Sequence, residues 1–223
     1  MPIIYLLRHA QSTANTKGIL AGRDNSVELT KQGFAQAKNL VQVLDQLEIG
    51  RIVSSPLTRC LQTIEPFRDR RGKIPFSQDE RLIEMDYGNW SGQKLSKLAR
   101  KKEWRTIQNT PSLFTFPGGE SFKSMRSRVD NLFRSLDNQK GPILLVTHGD
   151  IVKMFLASAA GLKIDGFQKF VIEPGSISTI GSSRGKYSIL GSNTYPAHAS
   201  KNVTTNTIGG GDFLIKQLQW WKK

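Results

Sequence analysis

Two histidines stand where a buried strand would hand the chain over to a loop. Ile3-Ile4-Tyr5-Leu6-Leu7 runs into Arg8-His9, and Ile143-Leu144-Leu145-Val146-Thr147 runs into His148-Gly149. Continuous apolar runs of this length read as strands covered on both faces. In open α/β sheets, ligands bind at the carboxyl ends of such strands. One histidine at a strand end is more often structural than catalytic, but two of the chain's three at such ends point the other way. A neutral imidazole held in one tautomer attacks phosphorus without metal activation.

Arg59 extends the pattern. Ser54-Ser55-Pro56-Leu57-Thr58-Arg59 reads as a strand end followed by a helix N-terminus, with Pro56 at the first helical position. Amide donors there favour an anion, and an arginine one turn in adds a bidentate grip on phosphate. Arg8, Arg59 and a second, protonated histidine would offset the charge on the equatorial oxygens of a phosphoryl group in transfer. No Asp, Glu and His grouping has metal-ligand spacing, and no cofactor is expected. Taken singly, Arg59 reads more readily as a salt-bridged surface residue, and Glu84, without the Tyr87-Gly88-Asn89-Trp90 that follows it, as a solvated carboxylate.

The elements that must position these residues follow from hydrophobic period. Residues 30–48 carry Phe34, Ala37, Leu40, Val41, Leu44 and Leu47 at helical spacing behind a capping Thr30. Arg51-Ile52-Val53-Ser54 is a short strand, and a helix follows from Ser55-Pro56 to about Phe67. Residues 73–120 are weakly periodic and rich in Gly and Pro, with one or two helices around 93–108. Helical spacing returns from Glu120 to about Asp137, and 150–160 is a largely apolar helix. Residues 176–181 and 186–190 form a hairpin around Arg184-Gly185. This alternation predicts a single α/β domain, a mainly parallel central sheet with helices on both faces. Its predicted extent is residues 1–195, with 85–120 a cap-like excursion. A polar tail, 196–223, contains the linker-like Gly209-Gly210-Gly211.

Composition bounds the function. Thirty-two Lys and Arg against 18 Asp and Glu give the 223-residue chain a net charge of +14, which favours anionic partners. The basic residues are scattered and no nucleic-acid motif accompanies them, so nucleic acid is not expected as a partner. No apolar stretch reaches bilayer length, so no membrane is expected either. The first residues lack the basic start and cleavage site of a signal peptide, and the single cysteine, Cys60, excludes an internal disulfide. A cytoplasmic location is expected. The oligomeric state is left open.

Six blocks, in order, resemble the histidine phosphatase superfamily, which includes the cofactor-dependent phosphoglycerate mutases. The first is Leu7-Arg8-His9-Ala10-Gln11-Ser12-Thr13-Ala14-Asn15, with Ala10 in place of the usual glycine. Gly22-Arg23-Asp24, with Leu29 to Gly33, follows. Then come Val53 to Thr63, Leu82-Ile83-Glu84-Met85-Asp86-Tyr87-Gly88-Asn89-Trp90-Ser91-Gly92, Pro117-Gly118-Gly119-Glu120-Ser121 and Val146-Thr147-His148-Gly149-Asp150. The resemblance covers residue 3 to about 195. It implies that His9 is a nucleophile forming a phosphohistidine and that Arg8, Arg59 and His148 bind the phosphoryl oxygens. Glu84 would be the general acid; Gln11 and Asn15 would line the pocket, with Gly149 after the second histidine.

To carry a proton, Glu84 needs a pKa raised by burial or a nearby carboxylate. Asp79 and Asp86 are the neighbours in sequence. The mutases read Glu-Arg-His-Tyr-Gly where this chain reads Glu84-Met85-Asp86-Tyr87-Gly88, and have a longer chain between the acid and the second histidine. The block therefore looks like the phosphatase branch. Ala21-Gly22-Arg23, Trp104 to Gln108, Phe167-Gln168-Lys169 and Glu173 to Ser178 resemble a bacterial subgroup of actinobacteria and chloroflexi. The function so implied is hydrolysis of a small phosphorylated metabolite. Mutase activity and a non-catalytic phospho-ligand binder are the alternatives, and the intact acid speaks against the binder. His198 matches only loosely a family element bearing Asn and His.

Overall fold

A computed structural model describes residues 3–136, 139, 141–183 and 186–194. Six strands form one sheet: β1 (Ile3–Arg8), β2 (Arg51–Ser54), β3 (Phe76–Gln78), β4 (Ile143–Thr147), β5 (Ile177–Ser183) and β6 (Lys186–Thr194). Their order is β3-β2-β4-β1-β5-β6. The β3-β2, β2-β4 and β4-β1 pairings are parallel, while β5 is antiparallel to both β1 and β6.

The apolar runs are continuous because consecutive side chains serve opposite cores. Ile4 and Leu6 of β1, with Ile143 and Leu145 of β4, pack on one face against α6 (Phe122–Leu136) and α7 (Gly149–Ala159). Tyr5, Leu7, Leu144 and Val146 pack on the other against α2 (Lys31–Leu44) and α3 (Thr58–Arg70). A strand with period-two contacts on two covered faces has no polar side to show. Between β3 and α6 lie two short helices, α4 (Leu95–Leu98) and α5 (Glu103–Asn109), and several 3-10 turns. The remaining helix, α1 (Thr13–Lys17), follows the His9 loop.

Three details differ from the expectation. α2 stops at Leu44, where Asp45 closes it by donating its N–H to Val41, and Asp45 then pairs with Arg70 and Arg71. α3 begins at Thr58, so Pro56 lies ahead of the helix. Ser55 donates its N–H to Val146 O at 2.8 Å, which prolongs the β2-β4 ladder past the point where a helix could start. The Thr58 amide is capped by Asn25 Oδ1 at 2.7 Å, so this first helical N–H is already satisfied. β3, three residues on the sheet edge, was not expected. The hairpin is present, but its turn residues Arg184-Gly185 and the tail, with His198 and Gly209–Gly211, lie outside the described residues. No described helix is long and apolar enough to cross a membrane.

Candidate active site

β1, β4 and β2 end side by side, and their ends deliver Arg8-His9, His148 and Ser54-Ser55 to one place. His9 donates its N–H to Thr147 O at 2.9 Å and Ala10 donates to Thr63 Oγ1 at 2.9 Å, which ties the loop after β1 to β4 and α3. The His9 ring nitrogen Nδ1 lies 2.7 Å from the Ala10 carbonyl. A carbonyl only accepts, so Nδ1 carries the proton and Nε2 keeps its lone pair. Burial, then Arg59 and Arg8, hold the imidazole well below the usual histidine range, so it is neutral at pH 7. That is a nucleophile's protonation state.

His9 opens on a narrow cleft of about 30 Å³ lined by Arg8, His9, Ser12, Ala14, Asn15, Ile19, Leu20, Ala21, Gly22, Arg59, Glu84 and Tyr87. A larger cavity of about 570 Å³ lies at the opposite end of the strands, against Leu44, Phe67 and Ile74, far from both histidines. The two guanidiniums in the cleft are fixed by neutral carbonyls. Arg8 donates to Ile172 O. Arg59 donates to Gly22 O at 2.7 Å and to Asp24 O at 3.0 Å. Arg8 and Arg59 are 3% and 1% exposed. Gly149 explains how Arg8 fits, because a Cβ there would stand 3.2 Å from the guanidinium carbon.

The other predicted residues fall into two groups. Asn15 lines the cleft and closes a capping box, its Oδ1 accepting from both the N–H and the hydroxyl of Ser12 at 2.9 Å. Its Nδ2 is thereby the end left to donate to a ligand. Gln11, Gly149 and His148 are not among the lining residues. Gln11 Oε1 accepts from Thr30 Oγ1 at 2.8 Å and so anchors the start of α2. His148 sits directly behind His9, ring centroids 5.3 Å apart and edge-on, with Nε2 2.8 Å from Ser55 Oγ. His148 was expected as an imidazolium, and its surroundings oppose that. Burial, then Arg59, His9 and Arg8, push His148 well below its usual range, since a buried positive ring beside two guanidiniums costs too much. Beneath it, Cys60 Sγ is 3.5 Å from Nε2, and burial pushes that thiol up to about 12.

Glu84 faces these cations from a strip between two 3-10 turns. Thr147 Oγ1 donates to Leu82 O at 2.6 Å, and Arg23 Nε donates to Glu84 O at 3.1 Å. Arg23 continues to Glu120 at 3.2 Å, and Arg128 holds the same carboxylate at 2.8 Å. Backbone packs on backbone beyond Glu84: a Cβ on Gly88, at φ 50°, would meet Pro117 O at 2.2 Å, and one on Gly119 would meet Asp86 O at 2.5 Å. The glycines of the two blocks are there for this contact.

The Glu84 side chain is buried, and Met85 N–H donates to Oε1 at 2.9 Å. Burial first, then the Asp150 carboxylate, push it up to about 7, while Arg59 and Arg8 pull the other way. Neither expected neighbour acts on it. Asp79 binds Arg81 at 2.6 Å and Asp86 faces Arg23 at 3.6 Å. Asp150 was missed, although it ends the Val146–Asp150 block and stands with Lys153 in an otherwise apolar helix. Tyr87 was quoted only as part of a block. Its hydroxyl, raised well above the usual range by burial, then by Asp150 and Glu84, donates to Asp150 Oδ2 at 2.8 Å.

Among the described residues no group of three or more His, Cys, Asp or Glu is arranged to hold a metal ion. The site can present a neutral imidazole, two cations and a protonated carboxyl to one small anion.

Comparison with known proteins agrees. Over 181 residues the chain is 28% identical to phosphoserine phosphatase 1 of Hydrogenobacter thermophilus, covering 79% of this chain and 85% of that protein. It is 28% identical over 192 residues to a 2,3-bisphosphoglycerate-dependent phosphoglycerate mutase of Thermoplasma acidophilum, covering 82% and 93%. The solved structure of Bacillus stearothermophilus YhfR superimposes with a TM-score of 0.80 at 26% identity, covering 88% of this chain and 98% of that one. The family model for the histidine phosphatase superfamily, branch 1, matches residues 4–194. The chain belongs to that superfamily and is a phosphoric monoester hydrolase of the histidine phosphatase type.

Proposed function

We propose that the chain hydrolyses small phosphorylated metabolites through a phosphohistidine on His9. The observation that carries this reading is the His9 ring, which lines the cleft with Arg8 and Arg59 and has Nδ1 spent on Ala10, so that Nε2 keeps its lone pair. Nε2 attacks phosphorus, the bond from phosphorus to the ester oxygen breaks, and Glu84 gives its proton to the leaving alcohol. Arg8 and Arg59 hold the phosphoryl oxygens, and the arriving negative charge raises the basicity of His148, whose proton then adds positive charge from behind His9. Water then attacks the phosphorus and gives a proton to the Glu84 carboxylate, the bond from phosphorus to Nε2 breaks to restore the neutral imidazole, and phosphate leaves.

Mutase activity is the second reading, favoured by the Thermoplasma relative. The outer wall of the cleft supports hydrolysis over it. Ala14, Ile19, Leu20 and Ala21 are apolar, and among the described lining residues Arg8 and Arg59 are the only cations. A bisphosphate would bring a second phosphate to a wall without a counter-charge. The single cysteine, buried and unpaired, supports placement in a reducing compartment such as the cytosol.

The test is Glu84→Gln with two esters, reading inorganic phosphate against an isomerised product. General acid catalysis contributes about 10²–10⁴-fold, so burst-phase phosphorylation by an alkyl phosphate should fall by roughly that factor. Phosphorylation by a nitrophenyl ester, whose leaving group needs little protonation, should fall far less. Equal loss on both esters would make Glu84 a shaping residue, and an isomer as the main product would make the chain a mutase.

A further inference from the structure

Behind Tyr87, which lines the cleft with Glu84, lies a polar cluster that the mechanism above does not use. Asp150 and Lys153 are one turn apart on α7, both buried, with Lys153 fully enclosed. Lys153 Nζ lies 3.5 Å from Asp150 Oδ1 and donates to Gln168 Oε1 at 3.1 Å, with its charge 5.4 Å from the centre of the Phe167 ring. Tyr87, which lines the cleft, donates to the other carboxylate oxygen at 2.8 Å. Burying a lysine and an aspartate inside an apolar helix is costly, and well-packed hydrophobic residues would do the structural work at no such cost. Through Tyr87 the cluster adjoins the cleft that Glu84 lines, and the Asp150 charge acts on the Glu84 carboxyl.

We propose that Asp150, held by Lys153 and Tyr87, is the positioning residue that keeps the proton on Glu84. Two buried carboxyls within electrostatic reach do not both ionise, and their surroundings decide which one carries the charge. Asp150 has the equipment for it: a lysine opposite one oxygen and a phenolic O–H on the other. Glu84 has one backbone donor, Met85 N–H. The charges that face Glu84, Arg59 from α3 and Arg8 from β1, favour its ionised form against the burial that favours the neutral one. Asp150 opposes them. The same cations that hold phosphate are therefore prevented from disarming the acid.

This rests on Glu84 acting as the acid, and the experiment separates the two ideas. The phosphorylation rate with an alkyl phosphate is followed against pH in wild type, Glu84→Gln, Asp150→Asn and Asp150→Asn/Lys153→Met. The double variant keeps the interior neutral in case Asp150→Asn alone leaves a buried lysine that prevents folding. Infrared titration of the carboxyl band, with Glu84→Gln as the blank, reads the Glu84 proton independently of turnover. In Asp150→Asn or the double variant, the basic limb and the infrared titration should both move down by about one pH unit. At a pH above the new limb, that is about a tenfold loss for the alkyl ester, with KM and nitrophenyl phosphorylation little changed. A limb that disappears in Glu84→Gln yet stays in place in the folded Asp150 variants would overturn this inference alone. A limb that survives Glu84→Gln would remove the acid assignment and this inference with it.

Discussion

His9 and His148 leave adjacent parallel strands at the same height, each after a run of buried aliphatic residues, yet only His9 reaches the cleft. The difference lies in what each ring nitrogen meets. His9 spends Nδ1 on the carbonyl of the next residue, which leaves Nε2 directed outward. His148 has Nε2 2.8 Å from Ser55, at the end of β2, and Cys60 close beneath, so its ring is enclosed and stands behind its twin. Identical sequence settings give an attacking group and a supporting one because a third strand end, that of β2, abuts β4 and not β1.

The sharpest break of this comparison is His9→Ala. Removing a nucleophile that works as a unit with its neighbours costs about 10⁴-fold or more in kcat, and an acid-labile phosphoryl label trapped from wild type should vanish. A label found on His148 would invert the roles. His148→Gln should be milder, about 10²–10³-fold in kcat, the size of losing one electrostatic stabiliser of the transition state. It should still form the label on His9, and quenched-flow trapping distinguishes the two variants.

The smallest effect is on stability. Both rings have folded pKa values below 6.5, so as pH falls past 6.5 the unfolded chain takes up two protons that the fold refuses. Glu84 works in the opposite sense, holding its proton up to about 7 in the fold against 4.5 unfolded. Between pH 4.5 and 6.5 the unfolded state thus binds one net proton more from these three groups. Stability should fall with falling pH by about 1.4 kcal/mol per unit. Urea denaturation of wild type at pH 6.5 and 5.5 should show this slope, and His148→Gln should flatten it.

The sequence made the strands that carry the chemistry easy to read, because β1, β2 and β4 are short and apolar on both faces. It also placed Arg8, His9, Asn15, Arg59 and Glu84 in one cleft, through blocks that resemble a family. Periodicity says nothing about partners across the fold. Asp150 lies 66 residues from Glu84 in sequence, so the nearer Asp79 and Asp86 drew attention although arginines hold both. Pro56 carries a genuine helix-start signal, but Ser55 is already hydrogen-bonded to Val146, and tertiary pairing overrode the local preference. β3 was invisible because Phe76-Ser77-Gln78 has too few residues to show a period.

The backbone contact between Gly88 and Gly119 has a consequence for how such an enzyme could change its diet. Asn89 N–H donates to Pro117 O at 2.8 Å and Glu120 N–H to Asp86 O at 2.8 Å, so the two ends of the intervening segment are stapled to each other beside Glu84. α4, α5 and the Trp90, Phe114 and Phe116 cluster form a closed loop hung from that staple. Lengthening a closed loop adds little entropy, roughly 0.6 kcal/mol per doubling. The segment can therefore be lengthened at an exposed turn such as Lys101-Lys102 while the acid keeps its distance from the nucleophile, which separates selection on substrate from selection on chemistry.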